Sequence, residues 1–599
     1  MVSRRRFLIM AVMMFVLLFM FQFSQIMKEG GNQYDENEYI GAKEQKTADS
    51  FSPVDKDEYV IFLGDAESNT GKQVFWWCEY TKRFLKIYED INQCAKQELE
   101  NAQMVLLTSD CVDYEKDVNQ LLSLAEEGIS FVVCDLPDSS AIENSKELQQ
   151  FLGIEEVRNH NVELTGVNLF SGFLLGGQAI YEAKDEKERK ERQDLDLTVP
   201  WYLTGNGCKT YMVGMLEDQS VKNEQLPALI WRSSVGQGKV FVMNGAYMED
   251  VAALGLLDAL MAELHSYALY PVINAQNVSV TNFPGFAKEN DEKMHHLYSR
   301  DQKAVFRDVL WPGLCSLIER NNVLLTCYLS PQQDYTDGKE PDKEQLVFYL
   351  KQMKEMRVEA GLSTDYIRCH SEKEKMEKDE QFFAESKSTY KYGTVYVPVR
   401  ELSNVDQMQG YDQYKNISTV ISDSMNVQPV VSYISDDVTL QSITNKGISH
   451  TYWEDFQMKS IQTALGYSNL VWDLNQISWP EQEEDRWEVL FEKFSSNTDT
   501  YWDAFDMFEK TTASESDRRI RAFLALDYEE KREGNTIQLI VKNRDTDVWF
   551  VLRTHGEQIS SITGGEYKNI EEDAYLICAK EGELKIQLEK TDELKYTFP

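Results

Sequence analysis

The sequence lacks paired cysteines and is poor in basic residues. Its nine cysteines are scattered and show no Cys-x-x-Cys spacing, so neither a disulfide framework nor a zinc ribbon is indicated. Most of them stand in apolar runs, where we expect buried hydrophobic residues. Lys and Arg number 61 against 100 Asp and Glu, which gives a formal net charge of −39. Because phosphate binding needs a basic surface, this composition argues against a nucleic-acid partner.

The chain has 599 residues, of which 42% are hydrophobic, a composition typical of a globular protein with several domains. Three arginines precede an apolar run that covers residues 7–26. The run is long enough to predict a transmembrane helix, and we expect residues 1–30 to be a cytoplasmic tip and anchor. Residues 31–56 predict a flexible stalk. The expected localisation is the cell membrane, single-pass, with the bulk of the chain extracytoplasmic; a cleaved signal peptide is the alternative.

A first α/β domain is predicted over residues 57–268. Continuous apolar strands alternate with helical patterns there, which indicates a parallel sheet covered on both faces. The strand within 236–245 and the helix that follows it resemble the end of glutamine-amidotransferase-like domains, which have flavodoxin-like folds. Cys134 ends a strand without the glycines of that family's nucleophile turn, and His160 and His265 lack a suitable partner spacing. A nucleophile needs a base within reach, so we expect a structural or binding role. No Gly-x-Gly-x-x-Gly motif supports a dinucleotide site.

A second domain is predicted over residues 270–512, where strands and helices alternate as in a (β/α) barrel. Its first strand runs from Asn277 into a Phe-Pro-Gly turn at 283–285 and presents Thr281 and Asn282 where barrel active sites lie. This turn, Val397-Pro398 and the segment 511–515 resemble the polysaccharide deacetylase (NodB-like) family. In domain order the chain is similar to the Pel exopolysaccharide biosynthesis deacetylase and its uncharacterised bacterial relatives.

The resemblance implies a metal site that this sequence does not keep. Active members carry an Asp-Asp pair, and those positions fall on Thr281 and Asn282. Their His-x-x-x-His stretch falls on Ser363 and Ile367, and Ile cannot bind a metal. His450 is a possible residual member of the site. We therefore expect a pseudoenzyme without metal or other cofactor, which binds polysaccharide or acts as a scaffold beside other exopolysaccharide synthesis proteins.

Alternative interpretations remain open. An active hydrolase could use a divalent metal such as zinc on rewired ligands: His295, His296, Asp365, His370 and His450. An unrelated barrel, or a surface receptor unconnected with glycan, is also compatible with the pattern.

Candidate binding residues follow from the same pattern. Sugar sites combine aromatic faces with a few polar groups in a cleft. The candidates are Asn282, Asp365, Tyr452, Trp453 and Trp472. Short alternating strands over residues 516–599 predict a C-terminal antiparallel β-sandwich with an interaction or capping role.

Overall fold

The computed structural model describes residues 59–590, apart from residues 219, 284, 387, 424, 426 and 427. The predicted anchor (residues 7–26) and the predicted stalk (residues 31–56) lie outside the described residues. Within the described part, no helix is both long and apolar enough to cross a bilayer. The predicted single-pass membrane localisation is therefore corrected: the described chain contains no membrane-spanning helix.

The chain is a mixed α/β protein with three folded units. The first unit has a nine-stranded sheet in the order β2-β1-β3-β4-β11-β10-β9-β6-β7, and β5 pairs separately with β8. The elements are β1 Tyr59–Leu63, α1 Asn69–Thr81, β2 Phe84–Tyr88, α2 Lys96–Asn101, β3 Ala102–Leu107, α3 Tyr114–Glu126, β4 Phe131–Val133, α4 Ser139–Asn144, α5 Lys146–Leu152, β5 Ile154–Glu163, β6 Gly166–Leu169, β7 Ala179–Glu182, α6 Glu186–Arg192, β8 Thr198–Thr204, β9 Lys209–Met215, β10 Ala228–Val235, β11 Gly238–Met243 and α7 Ala252–Leu264; β12 Tyr267–Val272 follows.

The sheet of the first unit is parallel in one half and antiparallel in the other. Strands β2, β1, β3, β4 and β11 run parallel and are buried in hydrophobic residues on both faces, apart from the edge strand β2. Strand β10 pairs antiparallel with β11, and the order continues antiparallel to β7. The parallel half agrees with the sequence prediction. The antiparallel half was not predicted, because a local hydrophobic pattern does not show in which direction two strands pair.

The second unit is a curved, mostly parallel sheet surrounded by helices. Its strands are β13 Ala275–Phe283, β14 Leu325–Leu329, β15 Glu359–Ser363, β16 Thr394–Tyr396, β17 Thr419–Ser422, β18 Val431–Tyr433, β19 Thr439–Ser442, β20 Asn445–Lys446, β21 Tyr467–Asp473 and β22 Lys510–Thr511. Its helices are α8 Asp291–Tyr298, α9 Gln302–Val305, α10 Trp311–Asn321, α11 Lys343–Glu355, α12 Glu372–Glu385, α13 Val405–Met408, α14 Tyr452–Leu465, α15 Asn475–Ser478 and α16 Trp487–Asn497.

The stretch 439–446 joins the two ends of this sheet. Its first half, β19, pairs parallel with β17, and its second half, β20, pairs parallel with β21. Backbone bonds continue the switch, because the Ile443 amide bonds to Ser422 while the next amide, Thr444, bonds to Asn469. The sheet therefore curls round an interior, and the carboxyl ends of β13, β15, β16 and β21 face one mouth.

The interior of the curved sheet is polar, whereas its outer face is apolar. Alternate residues such as Val280, Cys327 and Trp472 join the hydrophobic layer between strands and helices. The intervening residues face inward and bond one another: Ser279 Oγ donates to Asn469 at 2.8 Å. Barrel interiors are usually filled by branched apolar residues, so this interior is adapted to something other than packing alone.

The third unit is an antiparallel sandwich that borrows a strand from an earlier part of the chain. After α17 Ala513–Leu524 come β23 Asp527–Glu533, β24 Thr536–Lys542, β25 Val548–Thr554, β26 Glu557–Thr563, β27 Gly565–Glu571, β28 Ala574–Ala579 and β29 Glu583–Lys590. The two sheets, β12-β25-β28-β27 and β23-β24-β29-β26, enclose one hydrophobic core. Strand β12 lies inside the range predicted for the first domain, so the predicted sandwich range 516–599 is incomplete: strand partners cannot be read from a local pattern.

The three units pack closely on one another. Helices α7 and α14 cross at Gly255, whose amide bonds to Ser460 Oγ at 2.8 Å and where a Cβ would lie 2.2 Å from the Ser460 carbonyl oxygen. At a second junction, Lys459 of the barrel donates to the Gly176 carbonyl of the first unit, and Glu571 of the sandwich accepts from the Gly176 amide. These contacts join the barrel to the other two units.

Candidate functional site

The candidate site is built round Asn282 at the end of β13. Asn282 has φ +58, a left-handed conformation that Asn tolerates better than most residues. This conformation interrupts the strand alternation, so that Thr281 and Asn282 both reach Asp473 at the end of β21, at 3.4 Å and 2.7 Å. The same Asn282 Nδ2 donates to Asp365 Oδ2 at 3.1 Å. One neutral amide therefore bridges two carboxylates.

Further side chains hold this bridge in place. Ser363 Oγ donates to Asn282 Oδ1 at 2.8 Å, which orients the amide so that its NH₂ group faces the acids. Asn475 donates its side-chain amide to Asp365 at 3.2 Å and its backbone amide to Asp473 at 3.0 Å. Because both carboxylates share the same neutral donors, their positions are coupled. We call Asn282, Ser363, Asp365, Asp473 and Asn475 the mouth cluster.

The two carboxylates differ in their charged neighbours. Asp365 forms a 2.7 Å ion pair with Arg400, whose side chain is 57% exposed. Asp473 has only neutral donors. Although the residue is exposed to solvent at the mouth, the protein atoms around its carboxylate desolvate it and raise its pKa, and the negative charge of Asp365 raises the pKa further. Tyr396 lies nearby, and its pKa is raised first by burial and then by the charges of Asp423, Asp365 and Asp473. With both acids ionised, Asp365, Asp473 and Arg400 together keep a net negative charge.

A buried glutamate ties the rim of the mouth together. Glu289, in the loop after β13, accepts hydrogen bonds from the backbone amides of Gln333 and Asp334 in the loop after β14, at 2.7–3.0 Å. Burial raises the pKa of Glu289 to about 7, against the opposing effect of these bonds. The rim therefore contains a carboxyl group that titrates near neutral pH.

The structure brings together some of the residues predicted for the site and separates others. Thr281, Asn282, Ser363 and Asp365 meet at the mouth. Ile367 is 37% exposed, and its backbone amide donates to the Gln333 carbonyl at 2.9 Å. Its hydrocarbon side chain has no atom that could bind a metal.

His450 is not part of the mouth cluster. It is buried, its Nε2 lies 3.1 Å from Asp455 Oδ1, and its ring packs on Tyr501 with a centroid distance of 4.3 Å. Asp455 in turn accepts from Tyr181 of the first unit at 2.9 Å. The predicted residual catalytic role of His450 is therefore corrected to a place in the contact between the first unit and the barrel.

The three predicted aromatic binding residues are packed against protein. Trp472 is buried between Trp487 and Phe494, with centroid distances of 4.8 and 4.6 Å. Tyr452 is buried beside Tyr181, and Trp453 is half-buried and donates to Asp250 at 2.9 Å. The Trp472 and Tyr452 rings are buried and offer no free face to a sugar, and Trp453 also packs on Phe456 with a centroid distance of 5.6 Å.

The rewired metal site is also not assembled. Among the residues that the structure describes, no three His, Cys, Asp or Glu side chains lie close enough together to hold a metal ion. The exposed His295 bonds the Asp291 carbonyl of its own helix at 2.9 Å. What the mouth cluster offers instead is an array of hydrogen-bond donors and acceptors with two oriented acids, one of them paired with Arg400.

Sequence reasoning missed three members of the site: Arg400, Asp473 and Asn475. Asp473 ends a strand that the sequence does predict, so an acidic residue at a predicted strand end was the available signal. Arg400 follows Val397-Pro398 and lies in a short 3₁₀ turn, where no periodic pattern marks it.

Comparisons with known proteins identify one family match. Residues 175–366 match the model of a family described as uncharacterised and conserved in bacteria, DUF2194. The matched segment begins in the first unit, ends after β15, and includes Asn282 and Asp365. No curated protein matches the chain.

Similar solved structures cover about a third of the chain. They include an exo-β-1,4-mannosidase from Opitutaceae bacterium strain TAV5 (12% identity, 34% of this chain and 33% of that one, TM-score 0.21). A ThuA-like protein from Bacteroides uniformis shows 11% identity over 35% of this chain and 91% of that one, with TM-score 0.22. A β-galactosidase from Bacillus circulans shows 9% identity over 36% and 34%, with TM-score 0.22. The chain thus spans about a third of the two glycosidases, and TM-scores of this size support no inference about function.

Proposed function

We propose that the chain is a deacetylase-like protein of exopolysaccharide biosynthesis whose barrel is non-catalytic, and that its mouth cluster binds a segment of glycan. The observation that carries this proposal is the Asn282 bridge. In an active deacetylase two aspartates would stand at this strand end; here the neutral Thr281 and Asn282 hold Asp365 and Asp473 in place by hydrogen bonds. Such an array suits sugar hydroxyl and amine groups better than a metal-bound water.

We also propose fold classes for the first two units. We assign the curved sheet to the NodB-like barrel class and the parallel half of the first sheet to the amidotransferase-like class. The parallel strand order β2-β1-β3-β4-β11 supports the latter, and the crossover of residues 439–446 from β17 to β21 supports a distorted barrel. A role as a scaffold for other exopolysaccharide synthesis proteins is part of this proposal.

The charge of the site favours an amino sugar with a free ammonium group. Among the described residues, Asp473 accepts hydrogen bonds only from neutral donors, and the whole chain carries a formal charge of −39, which attracts cationic chains at low ionic strength. An ammonium group between Asp365 and Asp473 would replace hydrogen bonds from neutral amides with a charge-assisted hydrogen bond. A partly de-N-acetylated hexosamine polymer has this chemistry.

Calorimetric titration tests the proposal with chitosan oligomers and their fully N-acetylated counterparts. We expect the cationic oligomers to bind more tightly and their affinity to fall with salt. Asp473→Asn should weaken binding about tenfold, the loss of one charge-assisted hydrogen bond. Asp499→Asn, at an exposed carboxylate of the same unit, is the matched control and should not change binding. Absence of binding at low salt, or deacetylation that depends on a divalent metal, would contradict the proposal.

A further inference from the structure

The first unit contains a hydrogen-bonded serine, histidine and glutamate outside the mouth of the barrel. Ser139 Oγ lies 2.8 Å from His160 Nδ1, and His160 Nε2 lies 3.1 Å from Glu143 Oε2. Ser139 begins α4 after the end of β4, Glu143 lies on the same helix, and His160 comes from β5. In open α/β sheets, reactive groups commonly lie beyond the carboxyl ends of parallel strands, where β4 places Ser139.

The arrangement fits the roles of nucleophile, base and orienting acid. With its Nε2–H donated to Glu143, the neutral imidazole keeps a lone pair on Nδ1, which accepts the hydrogen bond from the Ser139 hydroxyl. A serine hydroxyl is a weak nucleophile until such a base removes its proton. In the usual triad Nε2 is the base and Nδ1–H donates to the acid, whereas here Nδ1 is the base and Nε2–H donates. The chemistry needs only one basic nitrogen and one nitrogen held by the acid.

The site is open to a substrate. Ser139 is half-buried, and the His160 and Glu143 side chains are each 51% exposed. This distinguishes the array from Cys134 at the end of the same sheet, which is buried and whose pKa burial raises far above its usual range. The serine is therefore the accessible nucleophile at the end of β4.

We propose that Ser139, His160 and Glu143 form an acyl-transfer site that hydrolyses exposed carboxylic esters. Ser139 Oγ attacks the ester carbonyl carbon while its proton passes to His160 Nδ1. The tetrahedral adduct then expels the alcohol, which takes that proton, and leaves an acyl group on Ser139. Water, deprotonated by His160, attacks the acyl carbon, and the acid leaves as Ser139 regains its proton. The site is independent of the glycan function proposed for the barrel.

The full-length protein can be tested with p-nitrophenyl acetate and with a fluorophosphonate probe. We expect turnover and covalent labelling at Ser139, both lost in Ser139→Ala, and a rate at least about 100-fold lower in His160→Gln. Glu143→Gln should lower the rate and change its pH profile, with partial recovery in Glu143→Asp. Ser140→Ala removes the neighbouring hydroxyl, which bonds Asp138 instead of His160, and should keep full activity.

Two further measurements make the result decisive. Circular dichroism of each variant shows whether the fold is kept, and His295→Gln measures hydrolysis by an exposed histidine outside the array. Equal hydrolysis in the wild type and Ser139→Ala, or probe attachment only at other residues, would overturn the proposal. Because Asp473→Asn should not affect ester hydrolysis, failure here is distinguishable from failure of glycan binding.

Discussion

Replacing Asp258 by Asn should change how the stability of the first unit depends on pH. Asp258 lies on α7, is 1% exposed, and accepts a hydrogen bond from Trp77 Nε1 at 2.9 Å. Its other carboxylate oxygen has no partner among the described residues. Burial raises its pKa to about 7, although the Arg83 charge and the Trp77 bond oppose the shift. The folded protein therefore holds a proton on Asp258 more tightly than the unfolded chain does.

The difference between the folded and unfolded pKa of Asp258 gives the sign and size of its effect on stability. A carboxyl group whose pKa is raised on folding contributes stability that is present below its unfolded pKa and is lost as the pH rises through its folded pKa. From an unfolded pKa near 4 to a folded pKa of about 7, the change is about three units of about 1.4 kcal/mol each. The titration of Asp258 should therefore lower the free energy of unfolding of the wild type by about 4 kcal/mol between pH 4 and pH 8. The amide of Asp258→Asn can still accept the Trp77 bond.

Urea unfolding at several pH values, followed by tryptophan fluorescence and circular dichroism, measures this difference. We expect Asp258→Asn to exceed the wild type in free energy of unfolding at pH 8 and to lose most of that advantage by pH 5. Glu289 also has a pKa of about 7, but it titrates in both proteins and cancels in the comparison. Glu100→Gln, at an exposed carboxylate, is the control. Parallel pH profiles for wild type and Asp258→Asn would refute the reasoning.

Three other predictions concern packing and the mouth. Trp472→Ala should lower the free energy of unfolding by about 3–5 kcal/mol, because it removes a ring stacked between two others; denaturant unfolding measures the loss. Gly255→Ala should cost about 1–3 kcal/mol in the same assay, because the new methyl group would lie 2.2 Å from the Ser460 carbonyl oxygen and push α7 from α14. Asn282→Asp should create an oxygen site for Mg²⁺ or Mn²⁺ with Asp365 and Asp473, seen by calorimetry as binding that the wild type lacks.

Each of these has a matched control. Trp201→Ala removes a half-buried ring in the first unit and should cost less than Trp472→Ala. Gly205→Ala adds a methyl group with its nearest neighbour at 3.7 Å and should be nearly neutral. Adding Asp473→Asn to Asn282→Asp should abolish the new ion binding. Equal losses within either packing pair, or no ion binding by Asn282→Asp, would contradict the geometry described above.

Strands with strong local patterns could be predicted from the sequence, and their partners could not. Both the apolar run at 59–63 and the strand that leads to Asn282 can be recognised in the sequence. The first is continuously hydrophobic, as burial on both faces requires, and the second alternates Val278 and Val280 with polar residues. Thr281 and Asn282 were expected at the mouth because they end a predicted barrel strand, and Ser363 was expected there because of the family resemblance.

The remaining site residues depend on contacts between distant parts of the chain. Arg400 reaches Asp365 from a turn, and Asp473 reaches Asn282 across 191 positions of sequence. The pairing of Ser139 with His160 depends on how β5 folds back beside α4, and no spacing rule predicts it. Trp472 was wrongly expected to face the ligand for the same reason. Whether a residue of β21 points inward or outward is set by the register of that strand against its neighbours.

The pairing of β12 with β25 can form only late in synthesis, because the two strands are far apart in the sequence. Tyr267–Val272 pairs with Val548–Thr554, so one edge of the last unit leaves the ribosome well before the strand that will cover it. Until then its backbone groups have no sheet to join, and the whole barrel is synthesised between the two strands of this pairing. A fragment that stops before residue 548 should therefore expose an unpaired strand and be prone to self-association, and a fragment that starts at 516 should lack one wall of its own core.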